Sequence, residues 1–352
     1  MNRLAPIIVF FVLFSCGKKQ GKFVPKNISS VEINHLLEDS LLNVRAIEIT
    51  VDNNVFFLTS KGFGGLVYYS DYDDELEIVY PIPIAHDSVK NNFRAFASTN
   101  KNGFGITIGS PARLYKIKND EKVVVYQENH PKIFYNSMDF WNDNEGIAIG
   151  DSTDGCLSII ITRNGGNTWT KLSCEDLPKA SENEGAFAAS DTNIAIVGDK
   201  TWVATTAGRV YFSPDKGKTW AVFDTPIVKE KETEGIYSID FYDELNGFAI
   251  GGDYTKPEHN TANKIRTIDG GKTWQLVAQN QNPGYRSCVQ YIPNGKGKEL
   301  VAVGFKGIDY SNDTGNSWKH LSDEGFYTIR FLNDSVAYAA GAGRISKLTF
   351  RE

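Results

Sequence analysis

The sequence predicts an all-β chain of seven small antiparallel sheets, four strands to a sheet, with the last sheet completed by the N-terminal strand. Three observations carry this. One eight-residue turn, Ser/Thr-x-Asp/Asn-x-Gly-x-Thr/Ser-Trp, occurs four times, as Thr162 to Trp169, Ser213 to Trp220, Thr267 to Trp274 and Ser311 to Trp318. A longer pattern recurs seven times: an alternating strand, a polar turn, and a strand rich in Gly, Ala and Ile that ends in glycine. The 32 glycines and the many aromatic residues suit short strands and tight turns, and helix-like apolar spacing is confined to a stretch near His35 to Leu42.

Residues 1–15 carry a lone positive charge, Arg3, before the apolar run Ile7 to Phe14, which is too short to span a bilayer and reads as a signal peptide. The run closes in Leu13-Phe14-Ser15-Cys16, which resembles the lipobox of bacterial lipoproteins. Cys16 is therefore expected to be the lipidated mature N-terminus, with residues 16–29 as a polar tether. The repeats open at Val44, Phe93, Tyr135, Glu184, Tyr237, Tyr285 and Tyr327, 42 to 53 residues apart. That is the period of four-stranded propeller blades, and it makes residues 30–352 one seven-bladed β-propeller domain.

In the four repeated turns, the third residue (Asn164, Asp215, Asp269, Asp313) is expected to accept turn amide protons. The glycine two places later allows positive φ, and the tryptophan covers the turn against a neighbouring sheet. Repeats one and two lack this turn, yet Leu66 to Tyr80 and Leu114 to Tyr126 still read strand, polar turn, strand. Repeat seven has only three strands, Tyr327 to Leu332, Ser335 to Ala340 and Arg344 to Phe350. The alternating stretch Ser30 to Leu36 is expected to supply the fourth and to remove an open edge.

The fourfold turn resembles the Asp-box, or BNR repeat, of sialidase-like and sortilin-like β-propellers, where it is a folding device placed away from the active face. Together with the seven Gly-Ala-Ile-Gly strands and an envelope address, it makes the chain similar to the photosystem II stability and assembly factor group of seven-bladed propellers. Within that group it resembles especially the lipoproteins of Bacteroidota. The resemblance spans nearly all of the mature chain. It implies a monomeric, lipid-anchored module of the bacterial cell envelope that binds a protein or glycan ligand and needs no cofactor. Some members bear an oxidoreductase label, but no Gly-x-Gly-x-x-Gly follows a strand and opens a helix in this sequence.

If each inner strand starts on the upper face, the loops joining second to third strands also lie there and the Asp-boxes lie below. The aligned opening positions are Arg45, Arg94, Asn136, Gly185, Tyr237, Arg286 and Tyr327. Arg45, Arg94 and Arg286 stand on either side of Tyr327 around the ring, so these four are expected to form a positive arc that binds a carboxylate or another anion. The competing expectation is that each arginine is paired with an acid such as Glu48 or Glu184. Loops 150–154, 198–200 and 252–256 would put Asp151, Asp199 and Asp253 on the same face, Asp151 and Asp253 as general acids, or all three simply as turn residues after glycine. An arginine triad with Tyr237 or Tyr327, Glu184 and Asp151 would make a sialidase-like glycoside hydrolase acting on an anionic glycan. Such enzymes have six blades, and Val44-Arg45-Ala46-Ile47 does not match their Arg-Ile-Pro motif.

The formal charge of −6, with scattered lysines, argues against a nucleic-acid partner. His35, His86, His130, His259 and His320 are too dispersed to suggest a metal site, and the Asp71 to Glu75 run reads as a solvated turn, without calcium-loop spacing. Trp141 and Trp202 fall outside the repeated turns and suit either sugar stacking or core packing. Cys156 and Cys174 flank one repeated turn and could be bridged in an oxidising compartment. If Thr162 faces Trp169, however, Cys156 faces position 175, and the thiols point to opposite sides of the sheet unless a bulge intervenes.

Overall fold

The computed structural model describes residues 23–70, 76–84, 91–118 and 121–352. The expected signal peptide, Cys16, the Asp71 to Glu75 run and His86 lie outside them. Among the described residues all regular structure is antiparallel β, in five sheets of four strands and one of seven. The innermost strands are 44–49, Phe93–Ser98, Tyr135–Asn142, Ile194–Val197, Ile236–Phe241, Cys288–Tyr291 and Thr328–Phe331. Each touches the next in that order, and the last touches the first.

This packing explains the composition of the second strands. Gly247–Gly251, Gly-Phe-Ala-Ile-Gly, is buried at every position because sheets cover it on both faces. Its Phe248 and Ile250 pack against Val289, Tyr291, Leu300 and Ala302 of the following sheet. Fully burying one such side chain contributes about 1.5–3 kcal/mol, so the stacked faces supply most of the driving force. Outermost strands such as Glu121–Glu128 are half exposed and carry charge accordingly.

The repeated turns form as their residues require. In the Ser213 turn, the Ser213 hydroxyl accepts the Gly217 amide at 2.8 Å and Asp215 accepts the Thr219 amide at 2.8 Å. The Trp220 indole donates back to the Gly217 carbonyl at 3.1 Å. Glycine is needed here for two reasons. Gly315 sits at φ +80°, and a Cβ on it would come within 2.1 Å of Phe248 in the preceding sheet. Each turn thereby keys into its neighbour.

The seven-stranded sheet arises because Ser30–Ile49 is a single long strand with two partners. Ser30 to Glu38 pair with the C-terminal strand Ala342–Arg351, and Val44 to Ile49 pair with Val55–Thr59. The stretch His35 to Leu42, which has helix-like spacing, is extended, with its irregularity taken up by register shifts after His35 and Glu38.

Repeat four departs from expectation by one strand. Its inner strand is Ile194–Val197, so Gly198 and Asp199 form the turn into Lys200–Ala204 and lie on the side of the repeated turns, where Asp199 meets Lys216 at 3.4 Å. Residues 184–193 are left to do something else. Trp202 is buried in the core, stacked on Phe241 at 3.7 Å, and Trp141 donates to the Thr201 hydroxyl at 2.7 Å. Cys156 and Cys174 form a disulfide with Cα atoms 5.4 Å apart. The strand holding Cys174 in the expected ladder ends at Lys171, and a turn closed by the Asp176 amide on the Ser173 carbonyl brings the second thiol over the first.

Candidate functional site

The four repeated turns lie beside the turns that end the inner strands and donate to them, as from Gly165 to the Asn144 carbonyl and from Gly270 to that of Leu245. The inner strands therefore begin on the opposite face. At that end a β-bulge recurs in several sheets, skipping Arg45 between Val44 and Ala46, Arg94 between Phe93 and Ala95, and Tyr237 between Ile236 and Ser238. A bulge re-aims the extra side chain out of the ladder, here toward the axis.

The result is a cup of about 380 Å³ walled by aromatic rings and floored by Ala188 and Ala189. Phe187 stacks face to face on Tyr237 at 3.7 Å, and Tyr285 meets Tyr237 edge-on at 4.7 Å. Tyr254 and Phe305 stand on the rim, 48% and 41% exposed, which marks the cup as open to a ligand with apolar surface. Arg45 and Arg94 line the same space. The Arg45 guanidinium lies 4.1 Å from the centre of the Tyr327 ring and donates to the Ala189 carbonyl at 3.1 Å. Burial, and then the charge of Arg45, lower Arg94 to about 10. Neither arginine forms an ion pair among the described residues, and the buried Nε of each lacks a hydrogen-bond partner. Two half-buried guanidinium groups without a carboxylate carry a desolvation cost that an incoming anion would offset.

The fourth member of the expected arc behaves otherwise. Arg286 is buried in its own sheet, where Nε donates to Asp309 at 2.7 Å and Nη1 to the Tyr285 carbonyl at 2.8 Å. It does not line the cup. The structure thus brings together Arg45, Arg94 and Tyr327 and leaves Arg286 out.

The acids expected nearby are committed to the fold. Glu184 is buried and accepts from Arg209, from the Thr205 hydroxyl at 2.7 Å and from the Ser181 amide at 2.8 Å. The Tyr237 hydroxyl donates to the Thr233 carbonyl at 2.9 Å, so the tyrosine and carboxylate couple of a sialidase-like site is not assembled beneath the arginines. Asp151 accepts the Ala186 amide at 3.2 Å and lies against Gly185, where burial raises it to about 6. Asp253 caps its own turn by accepting the Thr255 amide and hydroxyl at 2.9 and 2.6 Å.

Below the cup floor lies a second cavity of about 260 Å³, lined by Glu48, Asp139, Asp191, Asp240 and Arg330. Sequence reading passed over Arg330 and Asp191. The signal for both was a charge inside a strand or turn otherwise built of apolar and small residues.

No protein-family model and no curated protein sequence matches this chain. Solved structures do. The chain is similar to the structure of YCF48 bound to a D1 peptide, with a TM-score of 0.64 and 11% identity over 93% of this chain and 97% of that one. It is also similar to the RRP9 WD40 repeats, at TM-score 0.62 and 11% identity over 92% and 99% of the two chains. A third similar structure is U3-55K, at 0.60 and 11% over 93% and 100%. These likenesses show a β-propeller fold.

Proposed function

We propose that the chain is a seven-bladed β-propeller, closed by its N-terminal strand, that works as a non-catalytic binding module and takes a protein ligand in the cup opposite the Asp-boxes. The observation that carries this reading is the pair Arg45 and Arg94, paired with no acid among the described residues and set among aromatic rings. Guanidinium groups in that setting select a carboxylate, and the rings select an apolar group attached to it. A peptide supplies both. YCF48 is itself a propeller solved with a bound peptide, which lends weight to a peptide rather than a sugar as ligand. The test uses N-acetylphenylalanine and its amide as probes in calorimetric titration of the wild-type protein. The acid is expected to bind at least tenfold more tightly than the amide, and equal binding, or none, would remove the anion-binding reading.

The same reading exports the protein and anchors it to the bacterial envelope through lipidated Cys16. The Cys156–Cys174 disulfide supports an oxidising compartment. Replacing Cys16 with serine is expected to move the protein from membrane to soluble fractions, and retention on membranes would contradict lipid anchoring.

A further inference from the structure

The segment Ala188 to Asn193, which opens repeat four where a strand was expected, crosses the axis of the ring and is bonded to all six other blades. Blade one reaches it through Arg45, which donates to the Ala189 carbonyl at 3.1 Å. Blades two and three both bind the Asp191 carboxylate, through the Phe96 amide at 2.8 Å and the Met138 amide at 3.1 Å. In blade five the Ser238 hydroxyl accepts from Thr192 at 2.7 Å, and in blade six the Ser287 carbonyl accepts from Ser190 at 2.7 Å. Blade seven donates twice, from the Thr328 hydroxyl to the Ser190 carbonyl at 2.8 Å and from Arg330 to the Asp191 carbonyl at 3.2 Å. Asp191 holds φ +58°, a left-handed conformation that a non-glycine residue keeps only where its surroundings demand it.

These bonds have a pattern. Phe96 lies two residues beyond Arg94 and Met138 two beyond Asn136, so Asp191 grips the inner strands just below the bulges. Ala188 and Ala189 form the cup floor, while Asp191 and Thr192 line the cavity beneath. We infer that Ala188 to Asn193 is a plug that closes the axial channel into two chambers, and that Asp191 is a positioning residue that, by holding the Phe96 amide two residues beyond Arg94, sets the aim of Arg94 in the cup above it, where the Ala189 carbonyl of the same plug holds Arg45. This rests on the ligand-binding reading of the cup. Asp191 itself faces away from any ligand there, toward Glu48, Asp139, Asp240 and Arg330.

The test is Asp191→Asn, whose amide can accept one of the two backbone protons but must turn a donor toward the other. Binding of N-acetylphenylalanine is expected to weaken roughly tenfold, the cost of one misdirected contact in a rigid site. Amide exchange at Phe96 and Met138, which needs no ligand, is expected to quicken in the same variant. Should Asp191→Asn fail to fold, the pair Ser190→Ala and Thr328→Val removes two plug bonds without touching the carboxylate and is expected to weaken the probe in the same direction. A folded variant of either kind with wild-type affinity overturns the positioning role. A wild-type protein that binds no probe instead sinks the cup reading, and this inference with it.

Discussion

Arg94 and Arg286 hold aligned positions in two repeats, yet one faces a cup and the other a carboxylate. The difference is Asp309, an acid at the centre of the buried strand Gly307–Ser311, which requires a cation and finds Arg286. The sequence contained this clue, because a lone acid in a strand of small and apolar residues is seldom free. The position of Arg286 was legible; its partner on the third strand of the same sheet required knowing which face Asp309 takes. A second acid gives a test at this scale. Burial, and then the charge of Glu48, raise Asp139 to about 7. Because its folded value lies above its unfolded value near 3.8, Asp139 favours the fold below about pH 4, and that contribution is lost as the pH rises through 7. Asp139→Asn keeps an acceptor for the Phe140 amide but cannot ionise. Its melting temperature is expected to exceed that of wild type by a few degrees at pH 8 and by little at pH 4.5. Equal differences at both pH values would show that folding does not raise the carboxyl above its unfolded value.

Among the elements, the strands and the four repeated turns were readable because each is set by local chemistry: alternation, a positive-φ glycine, an acceptor at the third turn position. The plug was not. Gly185-Ala186-Phe187-Ala188-Ala189-Ser190 alternates well enough for a strand, and what excludes it from the sheet is a set of bonds to blades distant in sequence. Repeat four starts 53 residues before repeat five, the longest of the intervals, and that surplus was the only sequence trace. The disulfide shows the same division between local and distant causes. Ladder register put the two thiols on opposite faces, and a turn at 173–176 reversed that outcome. The bridge spans a separation of 18 residues, at the start of the loop that leads into the plug. Replacing both Cys156 and Cys174 with serine is expected to lower the unfolding free energy by about 3 kcal/mol in urea titration. An unchanged midpoint would mean that the loop is held by Glu184 and its partners alone.

At the scale of the whole molecule, inner strands in cyclic contact, the C-terminal strand zipped onto Ser30–Ile49, and sheets keyed by the repeated turns make a rigid frame with two differently finished faces. One face spends its turns on locking neighbours together. The other opens into a cup whose two arginines have no carboxylate partner among the described residues, Arg45 being held only by the Ala189 carbonyl and the Tyr327 ring. If those charges serve a ligand, removing them should leave the frame intact; if they serve the fold, it should not. The direct measurement is the double variant Arg45→Gln and Arg94→Gln, followed by calorimetric titration with N-acetylphenylalanine and by thermal unfolding. The ligand account predicts at least a hundredfold loss of binding with a melting temperature unchanged or slightly raised, since two desolvated charges are gone. Wild-type binding, or a large fall in melting temperature, would contradict it.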